Sequence, residues 1–325
     1  MEITLSDNQG TTDSINLLRD NINKEINKGN SVLVKLLQPG VMYNKKDILK
    51  PDGTPEWFTV VDFMNEWKGK PVSFNSNLVP IKPCNVWFEY TNDMFFTGYK
   101  LYQENNMCKS LLEKLKPYNQ KSCTKYWDLL LGEASDNKDW LNETISNHNV
   151  LDKTFLTYFG KDTTQGYWSN DVVRPKKHTA ETLGPIENRV NTQIRCSDLI
   201  DPAIYNMTYY TAMVETTVHN DFAMFSEKEA KPIVAQRPFV IFGSCGQLTA
   251  FRSLGFKSFG NVIDESYDSI EDKHERWNKV FDSMEQLTNE DPADVYEKLA
   301  DVLAHNKNHF EKNNWKRSLT WDSYQ

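Results

Sequence analysis

The sequence predicts an α/β protein made of two Rossmann-like domains that face a central cleft. Short apolar runs alternate with segments of helical period, which is the pattern of parallel sheets covered by helices. A chain of 325 residues is too long for one ordinary domain and suits two domains of about 150 residues each. The polar stretch PYNQKSC at 117–123 marks the boundary between them. We therefore divide the chain into 1–120, 121–300 and a C-terminal helix and tail, 301–325, that packs back toward the first domain.

In the first domain, the apolar pattern predicts strands and helices in alternation. The run Ser31–Leu37 (SVLVKLL) is predicted to be a buried strand, and Cys84–Tyr90 (CNVWFEY) another. Residues 56–67 are predicted to form a helix, because apolar side chains recur along one side at helical spacing. Ser110–Leu115 is predicted to be a short helix before the boundary.

The second domain continues this alternation. Apolar runs bounded by turn residues predict strands at Tyr126–Leu131, Thr154–Phe159, Tyr209–Glu215 and Phe239–Phe242. Helices are predicted over residues 138–147 and from Ser226, and Gly243–Gly246 is predicted to be a strand-to-helix turn. Residues 160–195 are polar and lack a period, so we expect a long irregular surface excursion there.

Two helices are predicted to close the chain. Ser269 and Asp272 form an S-x-x-D capping box, which would begin the first of these helices. An apolar stripe accompanies it at helical spacing, formed by Ile270, Trp277, Val280, Phe281, Met284 and Leu287. Asp291 and Pro292 supply the N-cap and the first-turn proline of the second helix.

Composition limits the classes of protein to which the chain can belong. The net charge of −8 counts against a protein that coats nucleic acid nonspecifically, although a local basic groove remains compatible with it. The 5 cysteines form no C-x-x-C pair and no zinc spacing, and their scatter fits reduced thiols in a cytosol. The sequence shows no signal peptide, and no apolar run approaches the roughly 18 residues of a membrane span. We therefore expect a soluble protein without a membrane partner, located in the cytoplasm, or in the host cytoplasm if the protein is viral.

One segment of the second domain has the pattern of a ligand site. A strand ends at Glu215, a polar loop follows, and a helix starts at Ser226 with Glu229 completing a capping box. The free N–H groups at a helix start attract anions, and Lys228 adds a full positive charge in the first turn. Glu227 can accept hydrogen bonds from two vicinal hydroxyls, as on a ribose. The combination suits a nucleotide diphosphate beyond the carboxyl end of a strand, whereas the spacing alone favours a merely charged first turn.

The same residues carry a resemblance to a known family. Glu215 on a strand, followed by Ser226-Glu227-Lys228 at a helix start, resembles the donor-binding half of GT-B glycosyltransferases of the α-1,3-fucosyltransferase kind. In that family Thr-Glu-Lys opens the helix. The chain is also similar, over about residues 126–287, to predicted glycosyltransferases encoded by phages and aquatic bacteria. The matching positions are Lys231-Pro232-Ile233, Pro238-Phe239, Leu254-Gly255-Phe256-Lys257, the IDESYD run from Ile263 to Asp268, Asp272 and Arg276-Trp277.

The resemblance implies a role for each residue of the segment. Glu227 would hold the ribose, Lys228 would hold the pyrophosphate, and Glu215 would lie near the sugar. A basic residue after the first strand of the donor domain usually adds a phosphate contact, and Lys138 takes that place where the family commonly has Arg. Lysine acts as a point charge without the bidentate fork of arginine. The resemblance also implies the GT-B arrangement of the two domains and inversion at the anomeric carbon.

No metal and no cofactor are predicted beyond the nucleotide-diphosphate sugar, which is the donor substrate. The sequence contains no D-x-D, so charge on the departing diphosphate would be stabilised by Lys228, Lys138 and the helix N-terminus. A carboxylate of the first domain must take the proton of the acceptor hydroxyl. The candidates are Glu89 and Asp93, at and just after the strand NVWFEY, and each is alternatively an ordinary loop acid.

These features together predict a glycosyltransferase that moves a sugar from a UDP- or GDP-sugar to an acceptor hydroxyl. The favoured acceptor is a hydroxymethylated pyrimidine of phage DNA, and the alternative acceptor is a surface glycan. Binding DNA would need a basic wall beside the cleft, for which the candidates are Arg174–His178, Lys161, Lys312, Lys316 and Arg317. Two other classes stay open: a non-catalytic nucleotide- or sugar-binding protein on the same scaffold, and a structural virion protein.

Overall fold

The chain has a mixed α/β architecture of parallel sheets and helices, consistent with a Rossmann-like fold. It is seen here in a computed structural model. The residues that this structure describes are 2–7, 12–36, 43–49, 55–58, 60–76, 78–80, 88–90, 102–103, 106–121, 123–131, 135–158, 166–168, 172–174, 199–215, 218, 222–312 and 318–319.

The regular elements within these ranges are named in chain order. The strands are β1 (Glu2–Asp7), β2 (Ser31–Leu36), β3 (Tyr43–Leu49), β4 (Pro55–Phe58), β5 (Val72–Ser76), β6 (Leu78–Pro80), β7 (Phe88–Tyr90), β8 (Lys125–Leu130), β9 (Thr154–Tyr158), β10 (Gly166–Trp168), β11 (Val172–Arg174), β12 (Thr208–Val214), β13 (Phe222–Met224), β14 (Phe239–Phe242) and β15 (Ser318–Leu319). The helices are α1 (Thr12–Asn27), α2 (Val60–Asn65), α3 (Asn106–Glu113), α4 (Asp136–Thr144), α5 (Pro202–Met207), α6 (Glu227–Val234), α7 (Gln247–Ser253), α8 (Lys273–Thr288) and α9 (Pro292–Glu311).

The first sheet has the strand order β1-β2-β5-β7-β15. The strands β1, β2, β5 and β7 run parallel, and β15 lies antiparallel to β7 with Ser318 opposite Glu89. Helix α1 connects β1 to β2 and packs against both strands, because a parallel pair needs a crossover connection. This helix buries Leu18 and Ile22. A segment near the end of the chain thus joins a sheet that is otherwise built from its beginning.

The second sheet has the strand order β11-β10-β9-β8-β12-β14. The strands β9, β8, β12 and β14 are parallel, and β10 and β11 extend the sheet as antiparallel edge strands. Along the chain, β8 comes first, β9 is added on one side of it, and β12 and β14 are added on the other. The strand order therefore reverses between β8 and β12. In open α/β sheets, ligands bind beyond the carboxyl ends of the strands at such a reversal.

Helix α8 covers the second sheet with the apolar stripe that the sequence predicts. Its residues Trp277, Val280, Phe281, Met284 and Leu287 are all buried, which confirms the stripe apart from Ile270, which lies before the helix. On the facing strand β8, Trp127 is also buried and donates its ring N–H to Thr288 Oγ1 at 3.0 Å. The stripe and the indole hydrogen bond together fix the helix on the sheet.

A short ladder connects the first and second parts of the chain. Strand β6 pairs antiparallel with β13, and Val79 lies opposite Ala223. The residues of β13 are buried, and this strand ends shortly before α6. A second antiparallel pair, β3 with β4, stays within the first part of the chain.

The structure confirms the predicted strands β2, β8, β9, β12 and β14 almost residue for residue. It also confirms the helix start at Ser226 and the cap of α9, where Asp291 accepts the backbone N–H of Ala293 at 2.8 Å. The predicted strand over 84–90 is present at 88–90, and its earlier residues lie outside the described ranges. Within the described ranges, no helix combines the length and the apolar character of a membrane crossing.

The helix predicted over 56–67 is partly wrong. Residues 55–58 form β4, which pairs with β3, and the helix α2 covers only Val60–Asn65. The aromatic residues at 57 and 58 favour a strand, and Pro55 stands at the first position of that strand, where its missing N–H is tolerated. The apolar residues Phe63, Met64 and Trp67 are nevertheless buried as the periodicity suggests.

Two other predictions need correction. Helix α8 begins at Lys273 with Asp272 as its N-cap, whereas Ser269 lies in a turn of 3-10 helix over Ser266–Ser269. The Asp272 side chain accepts the N–H of Glu275 at 2.8 Å, so the aspartate itself satisfies the helix start. The excursion over 160–195 contains β10 and β11, and its remaining residues lie outside the described ranges.

Candidate functional site

The candidate site lies at the carboxyl edge of the second sheet. The parallel strands β8, β12 and β14 end at Leu130, Val214 and Phe242, so the segments that follow them leave from the same edge. Three helix starts lie just beyond these strands in the chain, those of α4, α6 and α7. Helix starts carry the positive end of the helix dipole, which makes this edge suited to an anion.

The start of α6 is built by a complete capping box. The Ser226 side chain accepts the backbone N–H of Lys228 at 3.3 Å, and Glu229 Oε2 accepts the backbone N–H of Ser226 at 2.8 Å. Both capping side chains are fully buried. The sequence S-E-K-E therefore holds this helix start in one geometry, with Glu227 and Lys228 in its first turn.

Glu215 lies against this helix start, which brings three of the predicted donor-binding residues together. It follows β12 directly, and its backbone N–H donates to Phe242 O at 3.1 Å. Its side chain is buried, and Oε1 accepts a hydrogen bond from the Ser226 hydroxyl at 3.2 Å. Its other oxygen, Oε2, lies 3.7 Å from Lys228 Nζ. Because 11 residues separate Glu215 from Ser226, the strand-loop-helix fold rather than local sequence makes this contact.

The charges of this cluster are unbalanced. Three glutamates, Glu215, Glu227 and Glu229, are buried around one lysine. Burial raises the pKa of Glu229 well above its usual value, and the neighbouring carboxylate of Glu215 adds to this effect. Burial acts to lower the pKa of Lys228, but the negative charge of Glu215 and then of Glu227 outweighs it and raises that pKa. Glu229 therefore tends to hold its proton, and Lys228 keeps its positive charge.

Four buried oxygens at this edge have no hydrogen-bond partner among the described residues. They are Glu215 Oε2, Glu227 Oε2, Glu229 Oε1 and Gln247 Oε1. A protonated Glu229 can donate to Glu215, which leaves Glu227 Oε2 and Gln247 Oε1 as the acceptors open to a ligand. Gln247 begins α7, and its amide nitrogen donates to Met224 O at 2.7 Å, just before the start of α6. Because nearly all buried polar atoms in folded proteins find a partner, a group of unpaired acceptors indicates a place for a ligand with several donors. Hydroxyl groups are such donors.

Of the remaining predicted site residues, the structure describes Lys138 and Glu89 but not Asp93. Lys138 lies in the first turn of α4 at the same sheet edge, where its backbone N–H donates to the Ser135 N-cap at 3.4 Å. Glu89 lies in β7 of the first sheet, at a backbone position between Asn75 and Ser318. Asp93 lies outside the described residues.

The proposed basic wall falls mostly outside the described ranges. This applies to residues 175–178, Lys161, Lys316 and Arg317. Arg174 is the last residue of β11, and Lys312 caps the end of α9.

The segment IDESYD, which carries part of the resemblance, supports the turn between β14 and α7. Asp268 accepts the backbone N–H groups of Leu248 at 2.7 Å and Thr249 at 3.0 Å, so it caps α7 from a distance. Arg276 Nε and the ring N–H of Trp277 both donate to Gly243 O, at 3.1 and 3.2 Å. The predicted turn over Gly243–Gly246 is confirmed, and these matching residues hold it in place.

Two features escaped the sequence reasoning. Gln247 could have been found only from its place directly after the predicted turn. The second feature is a buried ion pair between Asp128 on β8 and Arg237, which precedes β14, at 2.7 Å. Arg237 also donates to the hydroxyls of Thr208 and Thr211 and to the carbonyl oxygens of Tyr205, Thr208 and Tyr210. No local pattern in the sequence marks a pair of residues that lie 109 positions apart.

In the described part of the chain, no three histidine, cysteine, aspartate or glutamate side chains are grouped so that they could hold a metal ion. In comparisons with known proteins, no family model matches the chain, and neither a curated protein nor a solved structure is significantly similar to it. The candidate site therefore has to be interpreted from its own geometry and charge.

Proposed function

We propose that the carboxyl edge of the second sheet binds a nucleotide-diphosphate sugar and that the chain transfers the sugar to an acceptor hydroxyl. The observation that supports this most is the set of buried, unpartnered carboxylate oxygens beside Lys228 and a helix start, within the described residues. A sugar nucleotide offers hydroxyl donors to carboxylates and phosphate oxygens to an ammonium group and backbone N–H groups. The position at the reversal of strand order supports the same ligand.

Each residue of the cluster has a distinct role in this proposal. Glu227 accepts hydrogen bonds from the ribose hydroxyls through Oε2, which has no partner in the described chain. Lys228 and the N–H groups of α6 lie near the pyrophosphate and stabilise the charge that develops on it as it leaves. Glu215 lies near the sugar, and its Oε2, 3.7 Å from Lys228 Nζ, holds the lysine in position. Lys138 adds a second positive charge from the start of α4.

The wider arrangement belongs to the same proposal. Residues 1–120 and 121–300 form the two domains of a GT-B enzyme, with 301–325 packing back toward the first. Glu89 or Asp93 acts as the catalytic base that takes the proton of the acceptor hydroxyl, and the reaction inverts the anomeric carbon without a metal. The enzyme works in the cytoplasm. Its acceptor is a hydroxymethylated pyrimidine of DNA, and a surface glycan is the other acceptor to be tested.

Binding of the donor is tested first, by calorimetry with UDP, GDP, CMP and their sugars. Glu227→Gln and Lys228→Met each remove a charge from the proposed site, so each should weaken binding by about 1.5–3 kcal/mol. That loss corresponds to an increase in Kd of about 10- to 150-fold. The matched controls are Glu297→Gln and Lys298→Met, an adjacent exposed Glu-Lys pair on α9. If both site variants fold normally and bind as tightly as the controls, the nucleotide site lies elsewhere.

Chemistry is tested separately from binding. The protein is incubated with each nucleotide sugar and with DNA that contains hydroxymethylcytosine or unmodified cytosine, and the digested nucleosides are analysed by mass spectrometry. A glycosylated nucleoside from the modified DNA alone supports the proposed acceptor. Transfer of the sugar to a glycan, with no transfer to DNA, would show that the acceptor is the surface glycan. Tight binding of a nucleotide sugar with neither transfer nor hydrolysis of the donor would make the protein a binding module. Turnover that is lost in excess chelator and restored by manganese would contradict the metal-free mechanism.

A further inference from the structure

A cavity of about 440 Å³ lies at the opposite end of α6 from the candidate donor site. It is formed by the end of α3, the segment 115–121, the C-terminal end of α6 and one face of α9. Val234, Ala235 and Gln236 line it, whereas the donor site lies at the start of the same helix. With eight residues and a rise of 1.5 Å per residue, α6 separates the two sites by about 12 Å. The cavity is therefore a separate site, of a volume typical for small-molecule pockets.

Positively charged and apolar side chains share the wall of this cavity. Lys116, Lys121 and Lys307 line it, and none of its described lining residues is acidic. Lys307 lies 3.9 Å from the exposed carboxylate of Glu311, and an exposed pair of this kind neutralises the wall only weakly. The rest of the wall is mainly leucine, valine, alanine and tyrosine. A wall of this kind attracts an anion that carries an apolar body.

A stacked pair of tyrosines gives the cavity a flat side. The rings of Tyr118 and Tyr296 lie 4.6 Å apart and are inclined by only 10°. Tyr296 is held in place, because its hydroxyl donates to Tyr209 O at 2.7 Å. A fixed aromatic pair at the wall favours a ligand with a flat ring, since aromatic groups gain from offset stacking and edge contacts.

Lys121 is the cavity lysine whose amine reaches the backbone of the second sheet. Its amine donates to Thr208 O at 3.2 Å, in the neighbourhood of Arg237. Burial lowers the pKa of Lys121 to about 7, and the positive charge of Arg237 adds to this effect. A large fraction of this amine is therefore uncharged near neutral pH, and an uncharged amine reacts with aldehydes. This property provides a chemical probe of the site.

We propose that this cavity binds a small anionic molecule with a flat apolar or aromatic body, whose phosphate or carboxylate group contacts Lys116 and Lys307. The occupant is distinct from the nucleotide sugar, so the inference does not rest on the proposed transferase activity. Lys116 is exposed and Lys307 half-buried, so both can be replaced without opening the core.

The test uses pyridoxal 5′-phosphate, which combines a phosphate, an aromatic ring and an aldehyde. Its aldehyde condenses with a lysine amine to form an imine and water, and borohydride then reduces the imine to a stable secondary amine. Peptide mapping by mass spectrometry locates the modified lysines. Lys121 should be modified at least 10-fold faster than the exposed Lys153, and at least 5-fold faster by pyridoxal 5′-phosphate than by 5′-deoxypyridoxal, which lacks the phosphate and, unlike pyridoxal, cannot close into an internal hemiacetal. The second ratio separates anion binding from the reactivity of the amine, because a lowered pKa alone would speed both reagents equally.

Variants and competitors complete the test. The double variant Lys116→Gln/Lys307→Gln should abolish the preference for pyridoxal 5′-phosphate, whereas the matched double variant Lys153→Gln/Lys298→Gln of exposed lysines should keep it. Protection of Lys121 by inorganic phosphate or by benzoate supports the proposal and tells a phosphate ligand from a carboxylate ligand. Equal labelling by the two reagents, with no protection by either anion, would overturn it. Circular dichroism and thermal melts of each variant show that the fold is retained.

Discussion

The second sheet buries ionisable groups near both ends of its strands, but the two groups differ in how many of their polar atoms have hydrogen-bond partners. Near the amino ends of β12 and β14, the ion pair of Asp128 with Arg237 is enclosed by threonine hydroxyls and backbone carbonyls. Near the carboxyl ends, Glu215, Glu227 and Glu229 surround Lys228 and leave oxygens without partners in the described chain. Burial of charge is therefore not by itself a sign of function. A closed network stabilises the fold, and an open one is prepared for a ligand.

The largest expected effect comes from breaking the closed network. Arg237→Met leaves the buried carboxylate of Asp128 without its cation and removes several hydrogen bonds at once. We expect the free energy of unfolding, measured by denaturant titration, to fall by about 3–5 kcal/mol. The double variant Asp128→Leu/Arg237→Met should recover part of this loss, because no uncompensated charge remains. A loss below about 1 kcal/mol in the single variant would show that Asp128 does not depend on Arg237 as its partner in the folded protein.

A smaller loss of stability is expected when Asp268 is replaced, because this carboxylate lies at the carboxyl edge but has its hydrogen-bond partners within the fold. Asp268 has hydrogen-bond donors on both carboxylate oxygens, from the start of α7 and the Thr249 hydroxyl. Asp268→Ala should lower the free energy of unfolding by about 1–2 kcal/mol, the usual cost of losing a helix cap. Asp301→Ala, at an exposed position of α9, is the matched control and should change stability little. If Asp268→Ala weakened nucleotide binding without changing stability, the aspartate would belong to the open cluster.

The smallest change in stability is expected for Glu229→Gln, which imitates the protonated carboxyl. Glutamine keeps an oxygen for the N–H of Ser226 and adds a donor that can face Glu215. The pKa of Glu229 is raised in the folded state, so between its usual value and the raised one the folded chain binds more protons than the unfolded chain. Stability then falls as pH rises through that window, because the unfolded state has the lower pKa.

The measurement is the free energy of unfolding at a series of pH values that starts near the usual pKa of a glutamate and rises from there. The variant Glu229→Gln should show a shallower fall with rising pH and should be at least as stable as the parent at the upper end. Glu290→Gln, an exposed glutamate after α8, is the control and should keep the parent slope. An unchanged slope in Glu229→Gln would show that this carboxyl is ionised in the fold like an ordinary glutamate.

Short sequence patterns predicted the strands and helix starts that are determined by neighbouring residues. Apolar runs located the strands of the second sheet, and the sequence S-E-K-E located the start of α6, because a capping box needs only neighbouring residues. The helix expected over 56–67 was wrong at its beginning, since β4 gains its stability by pairing with β3, which the local pattern does not show. β1 and α1 were not predicted at all.

In the second domain, the sequence named the residues of the candidate site that belong to the Glu215 and Ser226–Lys228 motif and the nearby Lys138, but not the residue that contacts the motif from elsewhere in the chain. Glu215, Ser226 and Lys228, which the motif contains, are in contact in the fold, but Gln247 joins them through the turn after β14, which no spacing in the motif records. The pair of Asp128 and Arg237 and the cavity beside α9 depend on residues far apart in the chain. Such contacts follow from the topology of the sheet, so they become visible only with the structure.

The ladder between β6 and β13 has a practical consequence for dissecting the protein into fragments. A fragment that starts at residue 121 would lack Leu78–Pro80, the backbone partner of Phe222–Met224. Strand β13 would then have an open edge, and an open apolar edge invites aggregation. This strand ends two residues before the cap at Ser226, so the truncation would also release the chain that leads into the start of α6. The second half of the chain should therefore be studied within the whole chain, or co-expressed with the first half, rather than as an isolated module.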